Sequence, residues 1–330
     1  NHFGVPLSLL EIQTQHEVAI IEMGMNHEGE INELCKIAEP DAVLVTNVGR
    51  VHLEGLGTVE NVAKAKEEIY QSNKKNLVRI FNLDNPYTLK MFDKYIVSTP
   101  RELVISFSSH EKKADVRFEV SASNIEGLTI TGEIRGVKGQ ANVAIFGVHN
   151  VNNLMGAAGL ALAAGLTPAQ IWSSLHLCHT PWGRNQKVKL KSGAEVVFDG
   201  YNANPESMSK LIENSMKVKH AGQKIAVIGE MGEMGEAREK VHYELGEIAG
   251  AAEFDLIWFI GISGDDFAEG LKESHYSGEV IYSKKFDSEI ATKIKSGLEP
   301  SDRVWIKGSR SMKLEQVVKA LEPLDFKDKD

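Results

Sequence analysis

Two short apolar runs separated by a segment of helical period constrain the start of this chain more than any other feature. Val18-Ala19-Ile20-Ile21 ends in Glu22, and Ala42-Val43-Leu44-Val45 ends in Thr46-Asn47, with His52 just beyond. Between them Ile31, Leu34, Cys35 and Ala38 fall at i, i+3, i+4 and i+7, so residues 28–38 are expected to form an amphipathic helix. Strand, helix, strand in that order predicts a right-handed βαβ unit with parallel strands. Ligands in such sheets gather beyond the carboxyl ends of the strands, where Glu22 and His52 would sit.

The next helix adds a cation to this pair. Thr58 can cap it and Glu60 suits its first turn, while Val59, Val62, Ala63, Ile69 and Tyr70 form its apolar stripe. Lys66 stands on that stripe rather than with Lys64, Glu67 and Glu68. An inward-facing lysine is expected to lose affinity for its proton, and a neutral amine can be chemically modified. A lysine can also snorkel to solvent from such a position. Glu22, His52 and Lys66 together are a candidate divalent-cation site, since magnesium takes oxygen ligands, keeps waters and borrows others from phosphates. The same spacing would let Glu22 and His52 simply satisfy each other at a strand end.

Beyond this stretch, residues 77–83 can form a strand ending at Asp84-Asn85-Pro86. From Val104 the texture changes. Residues 116–120, 128–132 and 141–145 alternate or run apolar between Gly, Asn and Lys turns, which predicts an antiparallel meander attached to the parallel sheet. A small-residue helix over 153–164 closes at Gly165, and Thr167-Pro168 opens another. Pro181 and Gly183 mark a boundary, giving domains over 1–182 and 183–330. In the second, strand candidates at 194–198, 224–228, 256–260, 280–282 and 304–306 alternate with helices that include 205–218 and 237–251. The expected fold class is therefore α/β: a central parallel-sheet domain with an antiparallel meander, followed by a Rossmann-like open α/β domain.

The net charge of −9 argues against a nucleic-acid-binding surface. Cys35 and Cys178 are the only cysteines, which suits a reduced cytoplasm and leaves no disulfide framework. No apolar run reaches the roughly 18 residues of a membrane span. The chain opens on Asn1 in mid-pattern, so residues upstream are expected. It contains no GxxxxGK[ST] phosphate loop, and the absence of GxGxxG after a strand removes a nicotinamide dehydrogenase.

Three polar runs in the second domain draw notice. Asp199-Gly200-Tyr201-Asn202-Ala203-Asn204-Pro205 joins a strand to a helix, as a turn and cap or as part of a site. Gly229-Glu230-Met231-Gly232-Glu233-Met234-Gly235 follows a strand, but carries acids where a phosphate cradle wants amides and a lysine. Lys307-Gly308-Ser309-Arg310 could grip an anionic group such as a carboxylate, or be solvated.

Taken with Gly4-Val5-Pro6-Leu7, Glu22-Met23-Gly24, Glu28-Gly29-Glu30-Ile31, Thr46-Asn47-Val48-Gly49, His52-Leu53-Glu54-Gly55, Ala65-Lys66-Glu67-Glu68-Ile69 and His149-Asn150, these runs resemble the Mur ligases over nearly the whole chain. That family has an amino-terminal domain for a UDP sugar, a central ATPase domain and a carboxy-terminal Rossmann-like domain. The chain resembles the second and third, and departs from the family in lacking the first domain and the phosphate loop, which lie upstream of the position of Asn1.

The resemblance implies a monomeric cytoplasmic enzyme of peptidoglycan synthesis, serving cell-wall biogenesis, cell shape and division. It would use ATP and Mg²⁺ to join D-alanyl-D-alanine to UDP-N-acetylmuramoyl-tripeptide through an acyl phosphate. Glu22 and His52 would bind magnesium, and Lys66 would be carbamylated and help hold a second ion. Asn150 would contact adenine, Arg184 and Asp199 the ribose and phosphates, and Tyr201, Asn202 and Asn204 would shape the same site. Residues 232–235, Lys307, Ser309 and Arg310 would lie near the dipeptide. The alternatives are a related folylpolyglutamate or cyanophycin-type amide ligase, and a nucleotide- or precursor-binding module without catalysis.

Overall fold

In the computed structural model, residues 1–51, 53–72, 74–218 and 221–327 are described. The chain divides into two compact units, Asn1–Cys178 and His179–Asp330. No helix among the described residues is long and apolar enough to cross a membrane.

The first unit opens with α1 (Gly4–Leu10), α2 (Glu30–Ala38), β1 (Ala42–Val45), α3 (Leu53–Leu56) and α4 (Val59–Glu67). It continues through β2 (Val78–Asn82), α5 (Pro86–Ile96), β3 (Val104–Phe107), β4 (Val116–Asn124), β5 (Gly127–Ile134) and β6 (Val137–Val143) to α6 (Asn150–Ala163) and α7 (Pro168–Ser174). The strands form one six-stranded sheet in sequence order. β1, β2 and β3 pair in parallel; β3 meets β4 through the single pair Phe107–Val116, and β4, β5 and β6 form the expected antiparallel meander.

Successive residues of a strand face opposite sides, and β2 shows the consequence. Phe81 packs with Val62, Ala65 and Tyr70 on one face, whereas Ile80 packs with Leu154, Met155 and Ala158 of α6 on the other. α6 can lie close because Gly156 and Gly159 face the sheet: a Cβ at Gly159 would stand 2.9 Å from Ile80 Cγ2.

One expected strand is absent. Residues 18–21 run irregularly, with Val18 58% and Ile20 80% exposed, and β1 lies at the sheet edge. β propensity without a neighbouring backbone to pair with does not make a strand. The predicted βαβ unit is instead β1–α4–β2, one element further along.

The second unit comprises β7 (Gln186–Lys189), β8 (Glu195–Asp199), α8 (Pro205–Lys217), β9 (Lys224–Gly229), α9 (Arg238–Gly250), β10 (Leu256–Ile260), α10 (Gly264–Glu273), β11 (Glu279–Ser283), α11 (Ser288–Gly297), β12 (Arg303–Lys307) and α12 (Glu315–Ala320). The sheet order is β11-β10-β9-β12-β8-β7, parallel except for the edge pair of β7 and β8. Its core includes Trp258, Phe198, Val304 and Ile306, all fully buried. β12 returns between β8 and β9, so the carboxyl ends of these three strands converge. They meet without side chains in one place: a Cβ at Gly308 would come within 2.7 Å of Gly229 Cα.

Candidate functional site

In the first unit, β1 runs into Thr46-Asn47-Val48, a turn fixed by amides from the next strand and its loop. Asn82 Nδ2 donates to Thr46 O at 2.9 Å, and Asn85 Nδ2 donates to Asn47 Oδ1 at 2.6 Å and Val48 O at 2.9 Å. Asn85 also caps α5, accepting from Tyr87 N and Thr88 N ahead of Pro86. Lys66, in the last turn of α4, is half-buried and its Nζ donates to Asn47 O at 2.8 Å. The expected Thr58 cap is present, accepting from Asn61 N at 3.2 Å.

Tyr70, fully buried after α4, accepts from Val45 N at 2.9 Å and donates to Ile80 O at 2.7 Å, and burial pushes its phenol up. Glu68 departs from its expected solvent-facing position. It is 6% exposed and accepts from Gly29 N at 2.6 Å and Asn32 N at 3.1 Å, because the first amides of α2 have no intrahelical partner.

Glu22 is exposed on the irregular segment before α2. His52, the third expected ligand, lies outside the described residues. Among the described residues no group of three or more His, Cys, Asp or Glu stands ready to hold a metal ion. Asn150 opens α6, with Nδ2 donating to Phe146 O at 2.8 Å and Oδ1 accepting from Asn153 Nδ2 at 2.9 Å.

In the second unit the polar runs knit into one another. Asp199 and Lys307 close the neighbouring strands β8 and β12 in the same register, so their side chains share a face. Lys307 Nζ donates to Asp199 Oδ2 at 2.5 Å and to Asn202 O at 3.0 Å, and the residue is 2% exposed. Burial, offset in part by Asp199, lowers the Lys307 ammonium from its ordinary value. Asp199 Oδ1 accepts from Asn185 N at 3.3 Å, while Arg184 lies 4.6 Å over the Tyr201 ring. Asn185 Oδ1 is itself buried with no hydrogen-bond partner among the described residues. Asn202 Oδ1 accepts from Ala203 N, and Asn204 caps α8 in a reciprocal box with Ser207, ahead of Pro205.

The glycine-rich run is held from within. Glu230 accepts from Ile262 N at 2.6 Å and Ser263 Oγ at 3.0 Å. Met231 N donates to His242 Nε2 at 3.0 Å, and Gly232 N donates to Ser309 Oγ at 2.7 Å. His242 is fully buried, and its Nδ1, 2.7 Å from Arg238 O, carries the proton; burial pushes its pKa down. Arg310 Nη1 donates to both carboxylate oxygens of Glu315, at 2.8 and 2.9 Å, and the guanidinium lies 5.2 Å over Trp182.

Sequence reasoning did not find Asn85, Asn185, His242 or Glu315. Asn85-Pro86 carried a helix-start signal; the others are defined by partners distant in space or by a helix stripe that a histidine does not announce.

Residues 1–161 match the Mur ligase middle domain and residues 183–310 the Mur ligase glutamate ligase domain. UDP-N-acetylmuramoyl-tripeptide–D-alanyl-D-alanine ligase from Bacillus subtilis (strain 168) is 32% identical over 323 residues, spanning 97% of this chain and 68% of that protein. Among solved structures, a MurF crystal structure from Acinetobacter baumannii superposes with a TM-score of 0.84 at 25% identity, covering 97% of this chain and 68% of that one. The MurF ligase of Thermotoga maritima in complex with ADP superposes at 0.78 with 26% identity, covering 97% and 70%. With this likeness running through both sheets and the polar runs at their strand ends, the chain belongs to the Mur ligase family.

Proposed function

We propose that this chain provides the ATP-dependent joining of D-alanyl-D-alanine to the free carboxylate of UDP-N-acetylmuramoyl-tripeptide, a step of peptidoglycan precursor synthesis in the cytoplasm, and that it works as a monomer. The alignment of 97% of this chain with 68% of the Bacillus subtilis ligase of that name carries the reading. Ligation proceeds in two steps. The terminal phosphoryl group of ATP passes to the tripeptide carboxylate, leaving ADP and an acyl phosphate. The amine of the dipeptide then attacks the acyl carbon, phosphate leaves, and the nitrogen gives up a proton as the amide forms. Such transfers rest on positioning and charge neutralisation.

Arg184, Asp199, Tyr201, Asn202 and Asn204 serve the nucleotide's ribose and phosphates, and Asn150 its adenine. The stacking of Arg184 on Tyr201 and the capping by Asn204 support this by fixing the backbone around them. Ser309, Arg310 and residues 232–235 serve the dipeptide.

Lys66 takes up carbon dioxide as its neutral amine, forming a nitrogen–carbon bond and releasing a proton. Its place at the end of β1, half-buried on Asn47 O, supports a fixed carbamate there. The exposed carboxylate of Glu22 and such a carbamate are oxygen donors of the type magnesium takes, with waters and phosphate oxygens completing its shell. His52 belongs to the same proposed set. When bound, the ion supplies neutralisation of phosphate charge.

The test is ADP release by the full-length gene product with UDP-N-acetylmuramoyl-tripeptide, with and without D-alanyl-D-alanine. Release that requires the dipeptide supports the reading. Release driven by glutamate or aspartate instead would move the substrate to another amide ligase, and tripeptide binding without turnover would leave a binding module.

A further inference from the structure

Lys307 presents a problem of cost. An ammonium removed from water is unfavourable unless it is paired and hydrogen-bonded, and well-packed apolar residues commonly replace such pairs at no loss of stability. Its neighbours along β12, Val304, Trp305 and Ile306, are all buried apolar residues, so the strand readily accommodates that alternative. What distinguishes Lys307 is the set of partners it joins. One ammonium holds the carboxylate of Asp199 at 2.5 Å and the carbonyl of Asn202 at 3.0 Å, two points of the same turn between β8 and α8. The other oxygen of Asp199 holds Asn185 N at 3.3 Å, beside Arg184, whose guanidinium lies 4.6 Å from the Tyr201 ring centre. Asn204 then fixes the far end of the turn as the cap of α8.

We propose that Lys307 is a positioning residue for the nucleotide: it sets the carboxylate of Asp199 and the Asp199–Asn202 backbone in the orientation that meets ribose and phosphate, and it does not touch the dipeptide. The inference rests on the ligase reading above, and replaces the dipeptide contact that resemblance assigns to Lys307. With its ammonium directed to Asp199 and Asn202 of its own sheet and turn, and 2% of its surface exposed, Lys307 acts on a ligand through those two residues.

The experiment uses the full-length protein and compares wild type with Lys307→Met, which keeps bulk but loses charge and donors, and Lys307→Gln, which keeps donors. ADP affinity is measured by titration, and KM for ATP and for D-alanyl-D-alanine is measured separately. In Lys307→Met, ADP affinity is expected to fall and KM for ATP to rise by roughly tenfold or more, as small misplacements of binding groups do, with KM for the dipeptide unchanged. Lys307→Gln is expected to recover part of that loss. A general folding defect would move both KM values together and would overturn the proposal, as would a rise in the dipeptide KM alone. Hydrogen exchange on the wild-type protein provides an arm that does not depend on a folded variant: ADP is expected to protect residues 199–204, and protection there by the dipeptide but not by ADP overturns the proposal. If wild type binds ADP but turns over no substrate, the ligase reading fails while the titration still decides the role of Lys307.

Discussion

At the carboxyl end of β12 in the second unit, Lys307 and Asp199 are buried and satisfy each other, whereas beyond the carboxyl end of β1 in the first unit Lys66 is half-buried against Asn47 O. Both places follow the same rule for parallel sheets, that polar residues collect beyond the strand ends. They differ in how the residues are held. In the second unit, Ser309, Glu230 and Arg310 also find partners within the unit, so its polar runs behave as a framework that presents backbone and a few side chains. In the first, the half-buried Lys66 donates to a carbonyl of a turn that three asparagine hydrogen bonds fix. The first arrangement suits chemistry at a side chain; the second suits positioning.

The sharpest way to break this contrast is Lys66→Ala. Ligation is expected to fall by on the order of 100-fold or more, with stability within about 1 kcal/mol of wild type; added short carboxylates should restore part of the rate. An equal collapse of stability and activity would make Lys66 part of a framework too. Next is the stability of Lys307→Met, read by urea denaturation. Removing one member of a buried pair strands the other, and a loss of about 3–5 kcal/mol is expected; a loss near that of an exposed pair would mean that water reaches Asp199.

A smaller effect tests the framework role within the first unit. Glu68→Ala leaves Gly29 N and Asn32 N without their acceptor and is expected to cost about 1–2 kcal/mol. The smallest effect comes with pH. Burial lowers the folded-state pKa of His242 below its ordinary 6.5, against opposing influences from Arg238 O, Glu230 and Asp266 and alongside the charge of Arg238. The unfolded chain therefore binds a proton at a pH where the folded one does not, so stability is full above that ordinary value and declines as pH falls from it through the folded pKa. His242→Gln should flatten this slope in thermal melts recorded across that range; an unchanged slope would remove His242 as its source.

Much of this fold was legible because its signals are local. β10 runs over the expected 256–260, and Thr58, Thr167 and Asn204 cap the helices that their side-chain chemistry predicts. The failures are non-local. Residues 18–21 have strand chemistry, but a strand also needs a neighbour, and periodicity does not report one. Glu68 reads as a surface acid beside Glu67, yet it answers the orphan amides of α2, 36 and 39 residues away. Lys307 reads as an available cation because nothing in Lys307-Gly308-Ser309-Arg310 reveals that Asp199, 108 residues earlier, lies alongside it. The candidate residues were visible as types and as runs; which of them face ligands and which hold others in place depends on strand order.

The contact between Gly229 and Gly308 bears on how this unit can vary. Because a methyl group at either position would press on the other's Cα, at 3.1 Å from Gly229 and 2.7 Å from Gly308, the loops after β9 and β12 act as each other's spacer. Neither can acquire bulk at its root unless the other backs away. Substitutions that look independent in the chain are therefore coupled, and descendants of this sequence can remodel the two loops in concert far more readily than one at a time.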